Sequence, residues 1–249
     1  MLLLIDAGNT RVKWALAAPG APAGTWMSSG AVLHVNLDAA GAAWHGQGVT
    51  AALVSNVAGA ALRERLAALL GPIAIEWFAS SAERAGLVNG YREPARLGCD
   101  RFAAAIGARA LAPGQALVVA TCGTATTVDA VTADGRFIGG MILPGLALMA
   151  GALAKNTAQL PQAAPGAAPP PLFADNTNDA IVSGCLSAQA GAIERAVAAR
   201  GDALCILSGG AAPYIAPALK CGHRMADNIV LVGLHAVALD GLRMGDGVC

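Results

Sequence analysis

The turn behind the first apolar run carries residue types suited to phosphate chemistry. Asp6, Ala7, Gly8, Asn9 and Thr10 follow Met1–Ile5 directly. A buried strand placed there delivers a carboxylate, a glycine and two short hydrogen-bonding side chains into one tight turn. Glycine lets the backbone come close to a bulky anion. Asn9, Thr10 and the N–H groups of the turn supply donors. Asp6 repels a bare phosphate, so the set points to a divalent cation between carboxylate and phosphate. Read alone, the same residues also make an ordinary β-hairpin turn.

A second copy shifts the balance toward chemistry. Leu117–Asp129 repeats the plan of apolar strand, polar residue, spacer, glycine, then Asn or Thr, then a β-rich continuation. Gly8 matches Gly123, Asn9 matches Thr124, and Asp6 falls opposite Thr121. The copy begins near mid-chain, as a duplicated domain requires, with Pro113-Gly114 marking the boundary. The expected domains are therefore 1–114 and 115–249. A third strand-to-glycine transition, Leu204–Ser208 into Gly209 and Gly210, completes a cage suited to a nucleotide.

The elements that must position these turns follow from periodicity. Strands are expected over 31–35, 51–57, 73–78, 136–142 and 205–207, and helices over 60–70, 99–111, from 146, over 178–199 and over 229–242. Asn176 or Thr177 would cap the long helix. Residues 79–94 read as irregular, and the Pro- and Ala-rich stretch 161–171 reads as a loop, either an inert connector or a mobile flap. Strands alternating with helices in both halves give an α/β layering.

Bulk properties narrow the function. The 249 residues carry 16 basic and 16 acidic side chains, so no net charge favours nucleic acid. No apolar run reaches membrane-spanning length, and the apolar start is too short for a signal peptide. The six cysteines (Cys99, Cys122, Cys185, Cys205, Cys221 and Cys249) lack C-x-x-C spacing, which suits a reducing cytosol. The dispersed histidines argue against zinc. No G-x-x-x-x-G-K-[ST] occurs, so a P-loop kinase is excluded.

Taken in order, these motifs resemble a known family. The turn Asp6, Ala7, Gly8, Asn9, Thr10, Arg11, Val12 and Lys13 resembles the first phosphate motif of the acetate and sugar kinase/Hsp70/actin superfamily. Gly123–Asp129 resembles its second phosphate motif, and Ser208-Gly209-Gly210 its adenosine motif. Gly98-Cys99-Asp100-Arg101, then Gly139–Gly145, then Asn176-Thr177 before Ala180-Ile181 and Gly184 resemble type III pantothenate kinase in particular. The resemblance implies two duplicated ribonuclease-H-like, actin-like ATPase domains with a nucleotide cleft between them. It implies transfer of the ATP γ-phosphoryl group to the primary hydroxyl of pantothenate, the first step of coenzyme A synthesis, by a cytoplasmic homodimer.

The resemblance also distributes roles. Asp6 would hold hydrated Mg²⁺, with Asn9, Thr10 and Lys13 on the phosphates and Gly123 and Thr124 closing from the other half. Lys13 reads equally as a solvated strand residue. Asp129 reads as a second metal carboxylate or as an exposed strand end. Asp100 is the candidate general base; its other reading is a helix-N-terminal acid balancing the dipole. Arg101 follows it, and adjacent helical residues do not face each other. A guanidinium suits the pantothenate carboxylate, which it can grip bidentately. Tyr91, Gly98, Cys99, Asp100, Arg101 and Thr177 would line the substrate pocket. Many family members carry an aspartate where this chain has Thr121, and that aspartate helps bind K⁺ or NH₄⁺; a threonine supplies oxygen without charge. Competing readings are another phosphotransferase or an ATPase on the same scaffold, and an ATP-binding regulatory accessory protein.

Overall fold

Two sheets that share a five-strand order organise the chain, the second extended at one edge by two short strands. The computed structural model describes residues 1–166 and 168–245, with 242–245 described by backbone alone. The elements in chain order begin with β1 (Leu2–Ala7), β2 (Arg11–Ala17), β3 (Ser28–Leu33), α1 (Leu37–Trp44), β4 (Ala51–Asn56), α2 (Ala60–Leu70) and β5 (Ala74–Phe78). Next come β6 (Glu83–Arg84), β7 (Leu87–Asn89) and α3 (Cys99–Leu111). Then follow β8 (Leu117–Cys122), β9 (Ala125–Val131), β10 (Arg136–Pro144), α4 (Leu146–Asn156) and α5 (Thr177–Ala199). The chain ends with β11 (Leu204–Ser208), α6 (Ala212–Ile215), β12 (His223–Met225) and α7 (Ile229–Gly245).

The first sheet has the order β3-β2-β1-β4-β5, with β2 antiparallel and β4 parallel to β1. The second compact unit repeats this order as β10-β9-β8-β11-β12, again with β9 antiparallel and β11 parallel to β8. The duplication read from the glycine turns is thus a duplication of topology. Register makes the match residue by residue. Asp6 faces Lys13 and Ser55 on its neighbouring strands. Thr121 faces Thr127 and Ser208.

The compact units do not follow the single cut expected at 114/115. One unit takes Met1–Gly114, Gly135–Phe137 and Asn228 onward; the other takes Gln115–Asp134 and Ile138–Asp227. The correction concerns α7, which packs on α3 instead of staying with the second half. Two glycines permit that crossing. A Cβ on Gly107 would strike the Ile229 carbonyl, and one on Gly233 would strike the Ala103 carbonyl. The backbones meet at a distance that only missing side chains allow.

Alternation along each strand separates structure from chemistry. In the first unit Leu3, Ile5, Ala7, Val12, Trp14 and Val54 join one core with Leu37, Trp44, Leu62 and Leu66 of α1 and α2. The odd-even partners Asp6, Lys13 and Ser55 therefore take the other face. In the second unit Val118, Ala120 and Cys122 join Leu146, Ile181 and Leu186 of α4 and α5. Thr121 takes the face opposite. Burying the apolar set pins register, because a slip of one residue would turn every side chain over.

Several short elements escaped the periodicity argument. Residues 79–94 contain the hairpin β6–β7, and α1, α6 and β12 were not expected. Residues 161–166 and 168–176 carry no helix or strand, as the loop reading requires. Asn176 is the cap of α5, its Oδ1 accepting from the Asp179 amide at 3.0 Å; Thr177 is the first helical residue. Cys249 lies outside the described residues, and the five described cysteines are free thiols. Among the described residues no helix is long and apolar enough to cross a membrane.

Candidate active site

The first glycine turn is closed by its own backbone. Gly8 N–H donates to the Arg11 carbonyl at 3.1 Å, which leaves Asn9 and Thr10 exposed at the tip. Gly123 closes a turn one residue shorter, donating to the Ala125 carbonyl at 2.9 Å. Behind the first turn, Asp6 is buried, and burial pushes its carboxyl up to about 6. Lys13 across the strand pair opposes that rise, and the negative charge of Asp100 adds to it. Lys13 is thus an electrostatic neighbour of Asp6 and only half-buried. An acid made uncomfortable by burial is one that a cation would relieve.

The N-terminus of α3 brings the second carboxylate to the same unit. Ala103, Ala104, Ala105 and Ala108 favour the helix, and Asp100 sits in its first turn. Asp100 Oδ1 accepts the Arg101 amide at 2.8 Å. Burial raises its carboxyl above the usual range, against the opposing pull of that amide and of the Arg101 charge. Gly98 makes the arrangement possible, since a Cβ there would lie 2.7 Å from Asp100 Oδ1. Cys99 ties the helix start to the sheet. Its sulfur lies 3.3 Å from Ser55 Oγ and donates to the Asn56 carbonyl at 3.7 Å. Burial pushes that thiol up, so it stays protonated and acts as a tether.

Arg101 is buried. Its Nη1 donates to the Tyr91 hydroxyl at 2.8 Å. The guanidinium lies 5.6 Å from the Tyr91 ring and 5.8 Å from the Phe137 ring. Asn89 fixes the Tyr91 loop. Its Nδ2 donates to the Ser81 and Pro94 carbonyls, both at 3.1 Å, and its Oδ1 accepts the Tyr91 amide. Sequence reasoning missed Asn89 because 79–94 was read as irregular. Ser55 lay within the strand expected over 51–57, and its facing of Asp6 follows once β1 and β4 are paired.

The second unit holds its own set. Gly145 N–H donates to the Thr124 carbonyl at 2.9 Å, and a Cβ on Gly145 would strike the Gly123 carbonyl. Gly209 has φ +98°, and a Cβ there would lie 2.7 Å from the Cys122 carbonyl carbon. Both sites need glycine for close approach. Gly210 faces open space. Thr121 Oγ1 is buried and has no hydrogen-bond partner among the described residues. Asp129 is buried, so the exposed strand end does not hold. The register places it diagonally from Thr121 on one sheet face. Thr177 lines a cavity of about 910 Å³ together with Met149, Leu153, Leu160, Ile181 and Cys185. The structure thus groups Asp6, Lys13, Tyr91, Gly98, Cys99, Asp100 and Arg101 in one unit and Thr121–Thr124, Asp129, Thr177, Gly209 and Gly210 in the other.

Among the described residues no three His, Cys, Asp or Glu side chains stand together as a metal site.

The family model for type III pantothenate kinase matches residues 2–199. The chain is 55% identical to a type III pantothenate kinase of Herminiimonas arsenicoxydans, covering 97% of this chain and 99% of that one. It is 58% identical to one from Janthinobacterium sp. (strain Marseille), covering 96% and 98%. Among solved structures it is similar to a Campylobacter jejuni protein described as a Baf family transcriptional activator. That match has a TM-score of 0.65 at 17% identity and covers 97% and 99% of the two chains. The fold is also similar to that of a Sinorhizobium meliloti protein described as a 2-dehydro-3-deoxygalactonokinase, with a TM-score of 0.60 at 16% identity over 96% of this chain and 99% of that one. By family model and by near-full-length identity, the chain belongs to the type III pantothenate kinase family.

Proposed function

We propose that this chain is an ATP-dependent pantothenate kinase, making 4′-phosphopantothenate in the first step of coenzyme A biosynthesis. The observation that carries the mechanism is the half-buried Asp100 carboxylate, held by the Arg101 amide at the start of α3 in the unit that also holds Asp6. Asp100 accepts the proton of the pantothenate primary hydroxyl as that oxygen attacks the γ-phosphorus. The bond from γ-phosphorus to the β,γ-bridging oxygen breaks, and ADP leaves. Burial raises the proton affinity of Asp100, which suits a proton acceptor. Position contributes more than basicity in so loose a transition state.

The turn Asp6–Lys13 binds the ATP phosphates through Asn9, Thr10 and Lys13, with Gly123 and Thr124 as further phosphate contacts. Gly209 and Gly210 take the adenosine. Asp6 would hold Mg²⁺ through water, and the ion would neutralise charge developing on the phosphates. Asp129 is retained as a second carboxylate. Arg101, preset by Tyr91, receives the pantothenate carboxylate; Gly98, Cys99 and Thr177 line the pocket. Thr121 Oγ1 is the oxygen that would hold K⁺ or NH₄⁺, and equal rates in Na⁺ and K⁺ would remove a strict requirement. The reading includes a homodimer, and Ile142, Leu148 and Leu153 are exposed apolar side chains on β10 and α4. We place the enzyme in the cytoplasm.

An ATPase would have no use for a buried arginine locked to a tyrosine beside the acid. The test is to incubate the protein with Mg²⁺, ATP and pantothenate and follow 4′-phosphopantothenate by mass. ADP formation that ignores pantothenate would overturn the kinase reading.

A further inference from the structure

We propose that His34 is a positioning residue for the phosphate turn, aiming the Asn9 amide by holding the Gly8 carbonyl. The inference rests on the reading of Asp6–Lys13 as a phosphate-binding turn and adds to it a residue outside every motif. His34 follows β3, far from the turn in sequence, yet its Nε2 lies 2.9 Å from the Gly8 carbonyl oxygen. A carbonyl only accepts, so Nε2 carries the hydrogen. Both backbone groups of Gly8 are thereby engaged, the N–H by Arg11 and the C=O by His34.

The consequence lies in the next peptide. The Gly8 carbonyl and the Asn9 N–H belong to one planar trans unit and point in opposite directions. Holding the carbonyl toward His34 turns the Asn9 N–H away from it, at the exposed tip of the turn. It also keeps an acceptor from rotating toward an anion. Glycine has no side chain to resist that rotation, so an outside anchor matters here more than at other residues. His34 is itself anchored. Its own carbonyl accepts Arg65 Nη1 at 2.6 Å, and Arg65 Nη2 pairs with Asp38 at 2.9 Å, linking α2 and α1 to the turn.

The test compares His34→Ala and His34→Gln with wild type. A glutamine amide nitrogen reaches the place of Nε2 and can donate as it does. Calorimetric titration with Mg²⁺ and a non-hydrolysable ATP analogue reads the turn; KM for pantothenate and the melting temperature read the rest. His34→Ala should weaken analogue binding about threefold to tenfold, the weight of one net hydrogen bond. KM for pantothenate should stay unchanged, and His34→Gln should recover most of the loss. Wild-type affinity in His34→Ala would overturn the role of His34 alone. So would a loss shared equally by pantothenate and thermal stability that glutamine fails to rescue. A wild-type protein that binds no analogue would instead overturn the phosphate-turn reading.

Discussion

Replacing Asp6 by asparagine separates a binding residue from a structural one. Burial raises this carboxyl from 3.8 to about 6. At about 1.4 kcal/mol per pH unit, ionised Asp6 costs the folded state about 3 kcal/mol. The sign follows from linkage. The folded form binds the proton more tightly than the unfolded form, so the contribution of Asp6 to stability is fully present below 3.8. It is lost as pH rises through about 6. Asp6→Asn keeps the shape and removes the charge. Its stability relative to wild type should thus be near equal below pH 4 and about 3 kcal/mol greater at pH 7. Urea unfolding of both proteins from pH 4 to 7 measures this. Binding should move the other way. A cation beside Asp6 requires the ionised form, so below pH 6 the wild type should release up to about one proton on binding a magnesium–nucleotide complex. Calorimetry in two buffers of different ionisation enthalpy reads that proton. Subtracting the Asp6→Asn result removes protons that come from the nucleotide. A wild type more stable than Asp6→Asn at pH 7, or equal proton release from both, would refute the reasoning.

Other substitutions test single contacts. Asp100→Asn should lower kcat by about 10²- to 10⁴-fold while nucleotide binding by calorimetry stays intact. Gly98→Ala puts a Cβ 2.7 Å from Asp100 Oδ1 and should cut kcat more than it lowers the melting temperature. Arg101→Ala should raise KM for pantothenate by at least about tenfold, and Arg101→Lys should not restore it, because an ammonium cannot replace a planar fork. Gly233→Ala drives a Cβ into the Ala103 carbonyl and should destabilise the protein by about 1–3 kcal/mol or more in urea unfolding.

The glycine turns were legible because each needs a residue type that strands otherwise avoid. Gly8 and Gly123 marked the two copies, and the paired topologies follow the same marks. Asp100 and Arg101 were legible as a pair on one helix start, but not the Arg101–Tyr91 bond, which joins a helix to a loop ten residues earlier in the chain. Very short strands such as β6 and β12 have too few residues to show a period, so only pairing defines them. The move of α7 to the first unit depends on Gly107 meeting Gly233 across α3 and α7. Nothing local distinguishes either glycine from a helix weakness. His34 was invisible for the same reason: its role is a single bond to a distant carbonyl.

The most direct test is a crystal structure with pantothenate and a non-hydrolysable ATP analogue. The account predicts the pantothenate primary hydroxyl within about 3 Å of an Asp100 carboxylate oxygen, and its carboxylate against Arg101. Pantothenate bound away from Asp100, with its hydroxyl facing no acid, would contradict the account.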